Sequence, residues 1–260
     1  MMILAIDVGN TTITYSGIER TGCDYQVNFA KHSDTVSDRS VSFYKNEVLR
    51  NLKKVGFGIA DFEGAIFSSV VPSVNIGFTD ALRLLFKKEP VIVSSDLDTG
   101  LMMDVENPKK VGNDRIADAA WVASRYSLPA VTVDMGTATT FNVIGTGGVF
   151  MGGAISAGLE TSLWALSRRA AQLPEVRQMT PEFSIGKNTV ECMEVGSVLG
   201  AACMIDGLVD RFEQELGMKV TLVITGGLAR TVEALCHHDH IYDPDLLAKG
   251  MGYLYDRNKV

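Results

Sequence analysis

The feature that most constrains this 260-residue chain is a short motif that it uses twice. Near the N-terminus the apolar run Ile3-Leu4-Ala5-Ile6 ends at Asp7 and passes at once into the small, polar turn Val8-Gly9-Asn10-Thr11-Thr12. Beyond the turn, Ile13, Tyr15 and Gly17 alternate with Thr14 and Ser16 at period two, which predicts a second strand rather than a helix. A dinucleotide-binding fold opens a helix after its glycines, so that class is set aside. About half a chain length later, Val131-Thr132-Val133-Asp134-Met135-Gly136-Thr137-Ala138-Thr139-Thr140 repeats the order of apolar strand, Asp, one residue, Gly and hydroxyls. The backbone N–H groups of such a turn line a concavity that takes phosphate oxygens. An ionised Asp7 only accepts, and so faces a cation, here phosphate-bound Mg²⁺. One Asp-x-Gly turn is commonly no more than a turn. Two of them, similarly placed in each half, predict a duplicated unit whose hairpins face each other across a cleft and grip one polyphosphate.

The rest of the chain fits an α/β duplication. In the first half Val27 and Phe29 predict a third strand, and the segment from Asp34 to Val55 has apolar residues at helical spacing. A central strand follows over Gly64–Val71, then a helix after Pro72 carrying Ile76, Phe78, Leu82, Leu85 and Phe86, then a strand over Pro90–Val93. The second half opens on three meander strands, Ala130–Asp134, Thr139–Ile144 and Val149–Met151. Gly152 to Gly158 reads as a glycine-rich entrance to a helix through Leu159, Leu163, Leu166 and Ala170, with a basic pair, Arg168 and Arg169, near its end. A long helix over Asn188–Leu216, a strand over Val220–Ile224, a strand-to-helix turn at Thr225-Gly226-Gly227-Leu228-Ala229 and a closing helix over Asp245–Arg257 complete the chain. Small residues in the long helix permit tight packing, including across a dimer.

Composition excludes several classes. With 46% hydrophobic and 21% charged residues the chain has ordinary globular usage. The first apolar run is too short for a secretory signal or a membrane span, which makes the cytoplasm the expected location. A net charge of -7, with scattered lysines and arginines, argues against a general nucleic-acid or membrane-surface binder. Cys23, Cys192, Cys203 and Cys236 lack paired spacing and read as buried free thiols. His237, His238 and His240 beside Cys236 form one short tract without a second ligand pair at zinc spacing, and read as a solvated loop.

Gly112-Asn113-Asp114-Arg115 precedes an alanine-rich helix over Ile116–Ser124, so Asp114 and Arg115 sit at a helix N-terminus. Capping alone accounts for an aspartate there. The functional alternative makes Arg115 an anion clamp and Asp114 the acceptor of a proton from an attacking hydroxyl.

In order and number, Asp7-Val8-Gly9-Asn10-Thr11, Ser68-Ser69-Val70-Val71-Pro72, Gly112-Asn113-Asp114-Arg115, Asp134-Met135-Gly136-Thr137-Ala138-Thr139-Thr140, Gly186-Lys187-Asn188-Thr189 and Thr225-Gly226-Gly227-Leu228-Ala229 resemble the motifs of type III pantothenate kinases. The resemblance spans nearly the whole chain. It implies the acetate and sugar kinase, heat-shock chaperone and actin superfamily. The expected fold is therefore two duplicated ribonuclease-H-like domains, residues 1–115 and 116–260, with mixed sheets flanked by helices and an ATP cleft between them. The implied activity is ATP-dependent phosphorylation of pantothenate, the first step of coenzyme A synthesis. By the same resemblance Asp7, Gly9, Asn10 and Thr11 hold phosphate and Mg²⁺, with Gly136, Thr137, Thr139, Gly226 and Gly227 on the nucleotide from the second half. Asp134 seats a monovalent cation, potassium or ammonium; Asp114 is the general base; Gly112 and Arg115 bind pantothenate. Family members are homodimers, and Thr189 is the residue expected to reach a partner's substrate site. Three positions depart from the family pattern: Val105 stands for a usual Tyr, Ala157 for a Pro, and Asn113 for a small Ala, its amide free to contact substrate or cap the helix. The alternatives are a kinase of a related small alcohol and a nucleotide-binding regulator of the same fold.

Overall fold

The structure is a computed structural model that describes residues 1–170, 172–176 and 180–259. In chain order its elements are β1 (Met2–Val8), β2 (Thr12–Thr21), β3 (Asp24–Asp34), α1 (Val41–Lys54), β4 (Phe62–Ser69), α2 (Pro72–Phe86), β5 (Val91–Ile92) and β6 (Met102–Met103). Then come α3 (Asn113–Arg125), β7 (Ala130–Met135), β8 (Ala138–Gly145), β9 (Val149–Ala157), α4 (Leu159–Arg169) and α5 (Thr189–Glu194). After one π-helical turn over Val195–Leu199 follow α6 (Gly200–Leu216), β10 (Thr221–Thr225), α7 (Ala229–Val232), β11 (His240–Tyr242) and α8 (Leu246–Asn258). Two compact units result: Met1–Leu101 with Glu106–Trp121 and the segment from Asp245 onward, and Met102–Val105 with Val122–Pro244.

The first unit is built on a five-stranded sheet in the order β3-β2-β1-β4-β5. β1 pairs antiparallel with β2 and parallel with β4, so the Asp7 turn is a hairpin as predicted. Strand alternation divides the apolar residues between the two faces. Leu4, Ile6 and Val8 meet Tyr44, Val48 and Leu52 of α1 and Phe78 and Leu82 of α2. Ile3 and Ala5 meet Ile116, Ala117 and Ala120 of α3 and Met251 and Leu254 of α8. Asp34 still belongs to β3, paired with Thr12, so α1 starts later than the apolar spacing alone predicts. Ser40 caps it, accepting from the Phe43 N–H at 3.2 Å.

The closing helix α8 lies beyond residue 115 in sequence, yet it packs with the first unit. Full burial of Met251 and Leu254 stabilises by about 1.5–3 kcal/mol each. The Arg257–Asp98 ion pair is exposed, and solvent screens it. The apolar face therefore decides where α8 docks. A half-buried network adds to it, with Arg20 joined to both Glu63 and Asp256 and Tyr25 donating to Asp256 at 2.9 Å.

The second unit repeats the plan in a six-stranded sheet, β11-β10-β7-β8-β9-β6. Here β7, β8 and β9 replace β1, β2 and β3, while β10 and β11 replace β4 and β5 in the same parallel pairing. The additional edge strand β6 runs parallel to β9. One face of this sheet, with Val131, Val133, Phe141, Leu222 and Ile224, packs on Val198, Ala202, Ile205 and Val209.

Three expectations are corrected and a fourth is refined. Gly152 and Gly153 do not open a helix entrance: β9 continues to Ala157, and both glycines have positive φ (99° and 149°) where its register with β8 shifts. The long helix runs from Thr189 to Leu216 as expected, widened by one π turn where the Ser197 hydroxyl donates to the Met193 carbonyl at 2.6 Å. The thiols of Cys23, Cys192 and Cys203 are exposed and that of Cys236 is half-buried. The histidine tract is only partly a loop, since His240 enters β11. The two-residue β6 and the three-residue β11 were missed because such pieces are too short for an alternation pattern.

Candidate active site

In the first unit the site is assembled at the C-terminal ends of β1 and β4. Parallel pairing sets Asp7 opposite Ser68, and the fully buried Ser68 hydroxyl donates to Asp7 Oδ1 at 2.7 Å. The turn beyond Asp7 is closed by the Gly9 N–H donating to the Thr12 carbonyl at 2.9 Å. Thr35 holds it from outside: its N–H donates to the Thr11 carbonyl at 3.0 Å and its hydroxyl to the Gly9 carbonyl at 2.7 Å. Asn10 and Thr11 are exposed at the tip, where their polar groups meet solvent or a ligand.

The first turn of α3 is tied to the same strand ends. The Asn113 side-chain amide donates to the Ser69 carbonyl at 3.2 Å, and Ser69 is the register partner of Val8. This amide fastens α3 to β4 rather than capping the helix. Asp114, the second residue of α3, accepts the Arg115 N–H at its Oδ1 at 2.8 Å, one of the donors that the first turn leaves without a helical partner. A side chain on Gly112 would overlap the Asp114 carboxylate, so the glycine makes room for it. Arg115 is half-buried, and desolvation pulls its guanidinium below the usual arginine value while nearby Asp114 opposes the shift. Asp7, Ser68, Asn113, Asp114 and Arg115 are thus linked through one pair of parallel strands.

In the second unit Asp134 occupies the equivalent strand end. β10 runs parallel to β7 with Thr225 opposite Asp134, and the chain then turns at Gly226, whose φ is +100°. A Cβ at Gly226 would lie 2.5 Å from Asp134 Oδ1 and from the Met135 nitrogen, so this backbone passes directly against the aspartate. The turn closes with the Gly136 N–H donating to the Ala138 carbonyl at 3.0 Å. At the start of α4 the Gly158 N–H donates to the Thr137 carbonyl at 3.1 Å, and the Thr161 hydroxyl does so at 2.7 Å. Thr137 is exposed, whereas Thr139 is buried and pairs with Met135. Gly227 follows Gly226 in open space.

A model of the type III pantothenate kinase family matches residues 3–211. The chain belongs to that family. It is 37% identical to the type III pantothenate kinase of Dictyoglomus turgidum, over 99% of this chain and 100% of that one. It is 36% identical to those of Exiguobacterium sibiricum and Moorella thermoacetica, with the same coverage. Among solved structures, a Campylobacter jejuni protein assigned to the Baf family of transcriptional activators aligns with TM-score 0.62 at 17% identity, over 97% of both chains. An inorganic polyphosphate/ATP-glucomannokinase from Arthrobacter aligns with TM-score 0.51 at 9% identity, over 99% of both. At those identities the structures share the fold alone, which agrees with the expected α/β architecture of two mixed sheets flanked by helices.

The remaining family positions fall as follows. Thr189 opens α5 and is exposed, one residue after Asn188, which caps that helix by accepting the Glu191 N–H at 3.0 Å. Val105 is half-buried, its side chain 3.7 Å from where a Cβ on Gly152 would lie. Ala157 ends β9, paired with Ala138. Sequence reasoning assigned no role of its own to Ser68 or Thr35. The signal for Ser68 was a pair of serines ending an otherwise apolar central strand, and a buried hydroxyl needs a partner. Thr35 carried none, because its role depends on β3 returning beside the hairpin.

Proposed function

We propose that this chain phosphorylates the primary hydroxyl of pantothenate with ATP, giving 4'-phosphopantothenate and ADP, the first step of coenzyme A synthesis. The observation that carries this reading is the linked set Asp7, Ser68, Asn113, Asp114 and Arg115 at one strand-end, in a chain that matches type III pantothenate kinases over its full length. In-line phosphoryl transfer asks for positioning and charge neutralisation. Asp114 accepts the proton as the pantothenate oxygen bonds to the γ-phosphorus and the bond to the leaving ADP oxygen breaks. Gly112 and Arg115 hold pantothenate, the half-desolvated guanidinium pairing with its carboxylate.

The turn Gly9-Asn10-Thr11 supplies backbone and side-chain donors to the phosphates. Gly136, Thr137, Thr139, Gly226 and Gly227 contribute those of the second unit. The donor set around Asp7 is hard oxygen, which suits Mg²⁺. When bound, that ion neutralises phosphate charge. Asp134, pressed by the Gly226 backbone, is the carboxylate assigned to a potassium or ammonium ion. We further infer that the duplicated halves join in sequence near residues 115 and 116, with α8 returned to the first unit, and that the chain forms a homodimer in which Thr189 serves the partner's substrate. Exposed Ile155, Trp164 and Val190 in the second unit leave apolar surface for such an association. The helical stretch Thr189–Leu216 is long and apolar enough to cross a membrane. We read it instead as an amphipathic helix of the second unit, because one face, with Val198, Ala202, Ile205 and Val209, sits in that unit's apolar core. Together with the acidic charge this supports a cytoplasmic enzyme with no nucleic-acid or membrane partner.

The test is ADP release from MgATP with and without pantothenate, in potassium, ammonium and sodium buffers. Pantothenate-dependent turnover that needs potassium or ammonium supports the whole reading. Turnover equal in sodium removes the monovalent site, and no turnover with pantothenate in any buffer removes the substrate assignment.

A further inference from the structure

The histidine tract lacks a second ligand pair in sequence, and the fold supplies one from α6. Asp206, Asp210 and Glu213 follow one another at helical spacing along that helix. The Asp206 carboxylate accepts the backbone N–H groups of His237, at 2.9 and 3.0 Å, and His238, at 3.2 Å, which fixes the turn on the helix. The His238 ring is thereby brought over the next turn of α6, with Nε2 3.0 Å from Asp210 Oδ1. Ligand atoms of Asp210, Glu213 and His238 all lie within 4.8 Å of one another. One Glu213 oxygen accepts the Val220 N–H at 3.1 Å, and the other is held at 2.6 Å by Lys219, whose side chain is 84% exposed.

We propose that Asp210, Glu213 and His238 form a binding site for a divalent transition ion of the zinc class, separate from the kinase machinery. The donor chemistry selects the class: one imidazole nitrogen with two carboxylate oxygens suits Zn²⁺ and its neighbours, whereas Mg²⁺ and Ca²⁺ favour oxygen alone. Zinc bonds of about 2.0–2.2 Å in tetrahedral geometry set donors roughly 3.3–3.6 Å apart, so the ion would draw together ligand atoms that now lie within 4.8 Å of one another. Water completes the coordination. Lys219 is the built-in competitor, because its ammonium occupies the Glu213 oxygen that the ion would take. Bound metal would cross-link α6 to the turn that leads into β11. None of these residues belongs to either hairpin, so this site stands or falls independently of the kinase reading.

The experiment titrates Zn²⁺ into the full-length, nucleotide-free protein against a chromophoric chelator, and follows the thermal midpoint in parallel. The expected result is one zinc per chain and a raised midpoint. The affinity should fall at least about 10-fold in His238→Ala and in Glu213→Gln. His237→Ala, whose ring is 91% exposed, should bind as the parent does. Lys219→Met should bind more tightly, a gain that misfolding does not mimic. Unchanged affinity in His238→Ala, loss of binding in His237→Ala, or no tightening in Lys219→Met would each overturn the proposal.

Discussion

The two hairpins are the same device set in different surroundings. Each follows an aspartate at the end of the strand that opens its meander, β1 or β7, and each has a turn carbonyl held by a threonine hydroxyl at 2.7 Å. In the first unit that threonine is Thr35, just past β3; in the second it is Thr161, in the first turn of α4. The neighbouring parallel strand differs more. Asp7 meets a serine hydroxyl, whereas Asp134 meets the bare backbone of Gly226. The first turn also spans one residue more, closing from Gly9 to Thr12 rather than from Gly136 to Ala138. Duplicated topology therefore fixes where a carboxylate and a turn stand. The adjoining strand and helix decide what they do, and only the first hairpin has Asp114 and Arg115 fastened beside it through Asn113.

Breaking the neighbour of each aspartate should expose this asymmetry. Gly226→Ala combines a positive φ with overlap against Asp134 and Met135, and should cost about 3 kcal/mol or more. Gly9→Ala places its Cβ 3.3 Å from the Thr12 carbonyl and should cost under about 1 kcal/mol. Urea unfolding of both variants measures the difference, and equal losses would refute it. Ser68→Ala strips Asp7 of a donor to a charged group, a loss of about 1.5–3 kcal/mol by the same measurement. It should also weaken MgATP binding, read by calorimetry.

Where the hairpins are alike, the effects should match. Thr35→Val and Thr161→Val each remove one hydroxyl donor and should each cost about 0.5–1.5 kcal/mol. A large inequality between them would show that one turn carries more strain than the other. The last effect is confined to acid. Burial works to raise the Asp256 carboxyl, but hydrogen bonds from Arg20, Lys259 and Tyr25 prevail and bring it down from 3.8 to about 2. Because the folded value is the lower one, its contribution is full above about pH 4 and fades as the pH falls toward 2. Arg20→Ala should flatten that part of the stability profile, measured by chemical unfolding between pH 2 and 5.

Much of this was legible in the chain. Apolar runs ending in Asp-x-Gly located both hairpins, and the repeated order of elements gave two mixed sheets, because strand alternation and strand-end turns are written in local residue types. The motifs also located Asp114 and Arg115. What was not legible depends on contacts far apart in sequence. Asn113 reaches a carbonyl on β4, Thr35 reaches a turn two strands earlier, and α8 returns to the first sheet because its apolar face fits there. The extension of β9 through Gly152 and Gly153 was hidden for another reason: glycines weaken the strand pattern, while the bulge that needs their positive φ exists only opposite β8.

The central claim is that phosphate holding and proton handling are separate tasks of neighbouring groups in the first unit. It is tested most directly by measuring MgATP affinity and pantothenate-dependent turnover side by side in Asp114→Asn. The account predicts parental MgATP affinity with turnover reduced by about 10²- to 10⁴-fold. Parental turnover in that variant, or loss of MgATP binding together with turnover, would contradict it.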